Sequence, residues 1–182
     1  MKTLLYVPRM FTRDELQALL PEVPDDFPRT NNEFWTYVSD RLRAVAGQIR
    51  WVYTEPDVYP SAAAARDSIA AVVAGLVAAG SKLQVAVDPL LLAEAEAWRD
   101  LTRTSPSPVV HELYDDSVRE LCRHVVAVVE RTLKDGETGV LLLHPLLSIS
   151  LPDTLRVIKL LPFDPQDYLA RQRVLLTRRT AT

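Results

Sequence analysis

The chain has 182 residues, a formal net charge of −3, three histidines, one cysteine and 48% hydrophobic residues. A chain of this length buries roughly 70% of its unfolded surface, so it needs no metal or disulfide staple. One cysteine excludes an intrachain disulfide and a thiolate zinc cluster, and a pI near 5.6 argues against a general nucleic-acid binder.

Lys2–Val7 reads as a first strand closed by Pro8. Thr12 and Glu15 then form a capping box for a helix that buries Leu16, Leu19 and Leu20 and stops before Pro21. Residues 21–31 hold three prolines and read as a loop. Asn32 is the expected cap of the next helix, in which Phe34, Val38, Leu42 and Val45 recur at helical spacing. Gly47 ends it, and Ile49–Thr54 is a second strand, β-branched and aromatic.

After Pro56 and Pro60, Ser61 is the expected cap of a long helix striped by Ile69, Val72, Val73, Leu76 and Val77. Gly80 is its natural stop. Residues 83–87 fit either a strand or a helix start. Asp88 and Pro89 form an N-cap and N1 pair, opening a helix to about Thr102. Ser105–Pro108 reads as a turn and Val109–Leu113 as a strand. Asp115 or Asp116 is the expected cap of a helix burying Val118, Leu121, Cys122, Val125, Val128 and Val129.

Val140–Leu143 is purely apolar, as in a strand covered on both faces. Leu155–Leu160 is a further strand, and Pro165 starts a last helix. Strands alternating with long helices predict one α/β domain over 1–182, three-layered, with a mainly parallel sheet of about five strands.

Charge is uneven. Residues 155–182 carry six basic and two acidic groups, a local +4, so the rest of the chain carries −7. Basic residues near the end of a final helix suit its macrodipole. The apolar run at Met1–Val7 lacks a full export-signal core. The longest uncharged apolar stretch, Ser68–Ser81, is well short of the ~20 residues that span a bilayer. A cytoplasmic protein is expected, with no membrane and no nucleic-acid partner.

No motif names a reaction. Gly75–Lys82 nearly matches a phosphate-binding loop, but Ser81 separates Gly80 from Lys82, and the segment ends a helix where the loop would leave a strand. Cys122 falls on an apolar helix face, where an inert thiol is expected. His124 belongs to the polar side of that helix and His111 to the predicted strand. His144 is better placed. It follows Val140–Leu143, at the carboxyl end of a parallel strand, where open α/β sheets bind ligands. Glu55 ends the second strand and faces the same edge. Glu33 opens the second helix, where the dipole favours a carboxylate. A cleft holding Glu55, Asp57 and His144 would suit metal or acid/base chemistry. Arg119 and Arg123 are candidate anion ligands. No cofactor is indicated.

Several segments resemble a family of uncharacterised prokaryotic, largely archaeal, proteins. They are Leu5-Tyr6-Val7-Pro8, Glu33-Phe34-Trp35, Ala79-Gly80-Ser81-Lys82, Thr132-Leu133-Lys134, Gly136-Glu137-Thr138-Gly139 and Leu151-Pro152-Asp153. That pattern is in turn similar to the TraB/ChaN-like group of α/β proteins, which includes hydrolases, and it implies polar groups at strand ends. The chain departs from it twice. Phe11 stands where the family has a histidine after the first strand. His144-Pro145-Leu146-Leu147 replaces Gly-x-x-His, so Leu147 takes the histidine's place. The resemblance therefore implies a site that this member has lost.

Two expectations follow. The first is a non-catalytic α/β domain that acts in protein association as a homo-oligomer. The second is a hydrolase-like or metal-dependent enzyme with a catalytic site at Glu33, Glu55 and His144.

Overall fold

A computed structural model describes residues 1–56, 58, 60, 68–147 and 149–180. Among the described residues, five strands form one sheet: β1 (Lys2–Pro8), β2 (Ile49–Thr54), β3 (Lys82–Val85), β4 (Thr138–Leu143) and β5 (Leu155–Lys159). Every pairing is parallel and the order is β3-β2-β4-β1-β5. Six α-helices among the described residues flank it: α1 (Arg13–Leu19), α2 (Phe27–Arg43), α3 (Ile69–Ala78), α4 (Pro89–Thr104), α5 (Pro108–Thr132) and α6 (Pro165–Thr180). The expected three-layer α/β architecture is thus present.

Alternation along the strands splits the core in two. Val7, Val52, Val140 and Leu142 face α1, α2, α3 and α6, against Leu16, Phe34, Val73 and Leu169. Leu4, Tyr53, Leu141 and Leu143 face α4 and α5, against Ala95, Leu121, Val125 and Val129. Leu141, Leu142 and Leu143 are wholly buried, as the apolar run requires of a central strand covered on both sides.

Local chemistry explains most element ends. Thr12 and Glu15 complete the capping box of α1. Asp88 accepts from the Leu90 and Leu91 amides and opens α4. Gly80 adopts φ +100° after α3, a conformation that disfavours any side chain. The ambiguous stretch after Ser81 is a strand: β3 pairs with β2 from Trp51 to Thr54.

Three local expectations are corrected. Helix α2 starts at Phe27, with Pro28 in its first turn, so Asn32 and Glu33 are interior. A proline that reads as a loop signal is equally at home at a helix start, where its missing N–H is no loss. For the same reason Val109–Leu113 is helical. Ser107 caps α5, its hydroxyl accepting from Val110 N, with Pro108 at the first position. Asp115 and Asp116 are then mid-helix and exposed. The capping role expected of Ser61 lies outside the described residues. The helix described there begins after Ser68, whose hydroxyl accepts from Ala71 N.

Helix α5 outruns the sheet. Its 25 residues rise ~37 Å at 1.5 Å each, while the six residues of β4 cover ~20 Å. The α5 C-terminus sits beside the start of β4, so its first turns stand beyond the carboxyl edge. No residue of α5 before Ser117 is buried. The α4–α5 hairpin therefore overhangs that edge, and Arg103 fastens it to α1 by donating to the Ala18 carbonyl at 2.7 Å.

Candidate functional site

The connections after β1 and β4 leave neighbouring strands toward opposite faces, α1 on one side and Leu147, Ile149 and Leu151 on the other. Such a switch point opens a crevice at the carboxyl edge. Arg9 follows β1, Glu55 follows β2 and His144 follows β4, so three strand ends deliver three polar side chains to one place. Helix α1 adds Glu15.

These four groups bond to one another. The Arg9 Nε donates to Glu55 Oε2 at 3.1 Å, and its Nη2 lies 3.1 Å from the same oxygen. Nη2 also donates to Glu15 Oε1 at 2.7 Å, and Nη1 to Glu15 Oε2 at 3.0 Å and the Met10 carbonyl at 3.2 Å. Four hydrogen bonds and one further ion-pair contact thus hold the guanidinium. Glu15 Oε2 also accepts from Thr12 N, the return half of the capping box. The His144 amide donates to Glu55 Oε1. On its ring, Nδ1 accepts from Leu146 N at 3.1 Å, which leaves Nε2 as the donor to Glu15 Oε1 at 3.3 Å.

Burial makes these bonds strong. The Arg9 and Glu55 side chains are each only 10% exposed. Burial alone would raise the Glu15 carboxyl. The hydrogen bonds from His144 and Arg9, the Arg9 charge and the Thr12 amide overcome it and hold that carboxyl well below the usual range. Burial would lower the Arg9 guanidinium, but its two carboxylates raise it instead.

The cluster floors a cavity of about 160 Å³, walled by α1, α4 and α5 under the overhanging hairpin. Leu92, Ala95, Val118 and Leu147 make its sides apolar, and Arg99 and Arg103 stand at its rim. A second, wider hollow of about 640 Å³ opens on the other side of Arg9 and Glu55, toward Phe11, Phe27 and Trp35.

Of the residues singled out in the sequence, Glu55 and His144 meet here. Glu33 does not. It is exposed on α2, 3.8 Å from Arg29. Asp57 lies outside the described residues. Arg119 is exposed and bound to Asp116, and Arg123 is exposed on α5; neither borders the cleft. His111 and His124 are on α5, away from the cluster. Cys122 is half-buried, and burial pushes its thiol up. Among the described residues, no group of three or more His, Cys, Asp or Glu side chains could hold a metal ion. No described helix is long and apolar enough to cross a membrane.

Arg9 and Glu15 were missed as site residues. Glu15 reads as a capping residue, which it is, and Arg9 as the flank of Pro8. Arg9 nevertheless follows a parallel strand at the same edge as Glu55, and that position was the available signal. Phe11 and Leu147 flank His144. The Phe11 ring lies edge-on at 5.6 Å, and Leu147 N donates to the His144 carbonyl at 3.0 Å.

The chain matches no protein-family model, no curated protein and no solved structure.

Proposed function

We propose that this chain acts by binding and not by bond-making: a cytoplasmic, non-catalytic α/β domain that associates with protein, first with a second copy of itself. The non-catalytic part is supported by the engagement of His144 within the edge cluster. A general base needs a free lone pair within reach of its proton, and both ring nitrogens of His144 are occupied. Phe11 and Leu147 stand where the family resemblance implies histidines, which agrees with a lost site.

One observation carries the association. Among the described residues, strand β5 has a neighbour on one side only, and four of its five residues are exposed. These include Val157 at 37% and Ile158 at 39%. An edge of this kind is a template for another strand. Antiparallel pairing about a two-fold axis at Val157 sets Arg156 opposite the partner's Ile158 and Lys159 opposite the partner's Leu155. No like charges face directly, so a second copy is admitted, whereas a strand with basic residues opposite Arg156 and Lys159 is repelled. Ile158 is the register relative of Leu5, on the α6 face of the sheet. The same pairing brings the half-exposed Val174 and Leu175 of the two α6 helices to one side.

Sedimentation equilibrium tests this. The expected mass is twice the 20.4 kDa of the chain. A single-chain mass throughout the micromolar range overturns the homo-oligomer.

A hydrolase-like or metal-dependent enzyme at the carboxyl edge is the second reading. It draws on the meeting of Glu55 and His144 at one cleft. Turnover of generic ester or phosphomonoester substrates that disappears in Glu55→Gln would favour it. Absence of turnover would favour the binding domain.

A further inference from the structure

The cavity above the Arg9 cluster has a charge pattern of its own, independent of how the chain associates. Its floor holds one guanidinium and two carboxylates, Glu15 and Glu55, an excess of one negative charge beside the ring of His144. Two ionised carboxylate oxygens offer about four acceptor sites. Glu15 fills four, from Arg9 Nη1 and Nη2, Thr12 N and His144 Nε2. Glu55 accepts two hydrogen bonds, from Arg9 Nε and His144 N, and Arg9 Nη2 makes an ion-pair contact with its Oε2. One site remains on Glu55 Oε1, on a side chain nine-tenths buried that lines the cavity.

The rim holds two arginines, Arg99 and Arg103, together with Glu96. Arg99 and Arg103 are 38% and 51% exposed, and their carboxylate neighbours Glu96 and Asp100 stand at 3.8–4.0 Å, too far for a firm hydrogen bond. Arg103 uses one Nη2 hydrogen on the Ala18 carbonyl and keeps others for a ligand. Between floor and rim the walls are aliphatic, from Leu92 and Val118.

We infer that this cavity is a binding site for a small zwitterion of the amino-acid type. The ammonium donates to the open acceptor site of Glu55, the carboxylate meets Arg99 and Arg103, and a short aliphatic body lies against Leu92 and Val118. A simple anion would satisfy the rim and leave the buried Glu55 site unmet. A simple cation would do the reverse. The volume of about 160 Å³ is below the ~300–1,000 Å³ of pockets for drug-sized ligands, which excludes a nucleotide.

An NMR titration of the full chain with β-alanine, γ-aminobutyrate and δ-aminovalerate tests this, read on the Leu92 and Val118 methyl groups. Butyrate and butylammonium serve as the two half-ligands. The expected result is saturable binding of at least one zwitterion, at least about tenfold tighter than either half, as one charge-assisted hydrogen bond provides. Arg99→Gln, at the exposed rim where folding is safe, is expected to weaken it about tenfold. Glu55→Gln is expected to bring the zwitterion down to the level of butyrate. Absence of saturable binding by all three zwitterions overturns the assignment. So does butyrate binding as tightly as γ-aminobutyrate, or an Arg99→Gln chain that binds unchanged.

Discussion

Arg9 and Glu55 lie 46 residues apart in the chain, yet the Arg9 Nε–H reaches Glu55 Oε2 at 3.1 Å inside the carboxyl edge of the sheet. They follow β1 and β2, which are not neighbours: β4 runs between them. The ion pair therefore bridges the end of β4 and ties three strands together, and Glu15 extends the tie to α1. A buried charge that loses its partner is strongly destabilising. Arg9→Met leaves two carboxylates unpaired and should lower the unfolding free energy by about 3–5 kcal/mol, measured by urea denaturation. A loss below about 1 kcal/mol, the value of an exposed pair, would mean that the cluster does not hold the edge.

The same cluster sets an acid limit. Its hydrogen bonds from His144 and Arg9 hold the Glu15 carboxyl in the folded chain well below its ordinary value of 4.5. The unfolded chain then binds the proton first, so stability falls as pH drops through that value. Its contribution is fully present above the unfolded value and is lost progressively toward the lower folded one. Urea midpoints between pH 6 and pH 3 should fall more steeply for the wild type than for Glu15→Gln. Parallel curves would remove Glu15 as the source of the acid sensitivity.

On the other face of β4, Gly139 leaves room for an aromatic ring. A Cβ built there would stand 3.0 Å from Tyr53 Cε2 and 3.4 Å from methyl groups of Leu4 and Leu133. Tyr53 cannot swing away freely, because its hydroxyl is hydrogen-bonded to Thr132 at 2.7 Å. Gly139→Ala should cost about 1–3 kcal/mol by overpacking, seen as a lower melting temperature. Combining it with Tyr53→Leu should recover part of the loss. A neutral Gly139→Ala would show that the ring is not held.

The fold was readable wherever periodicity and caps agreed. The alternating or apolar runs of β1, β2, β4 and β5, the Thr12 capping box and the Asp88-Pro89 pair each predicted the element found. Val109–Leu113 failed because β-branching and a nearby proline imitate a strand and its turn. The local signal was the Ser107 cap with Pro108 at the first helical position, and the packing of α4 against α5 supports it. At the site, Glu55 and His144 were legible because a strand's end fixes where its next residue stands. Glu33 was misplaced because its helix begins earlier than its polar residues suggest. Arg9 and Glu15 were legible as residues but not as partners. Their meeting depends on strand order, and β4 lying between β1 and β2 cannot be read from spacing.

The central claim is that this domain binds, and that its open β5 edge takes a second copy. Oxidative cross-linking of Val157→Cys tests it most directly. Opposed residues in an antiparallel pair have Cα atoms ~4.5–5.5 Å apart, within disulfide range. The wild type, with Cys122 alone, is the control. The account predicts a covalent dimer through Cys at position 157 under mild oxidant, and none above background in the wild type. A Val157→Cys chain that stays monomeric under the same oxidant would contradict it.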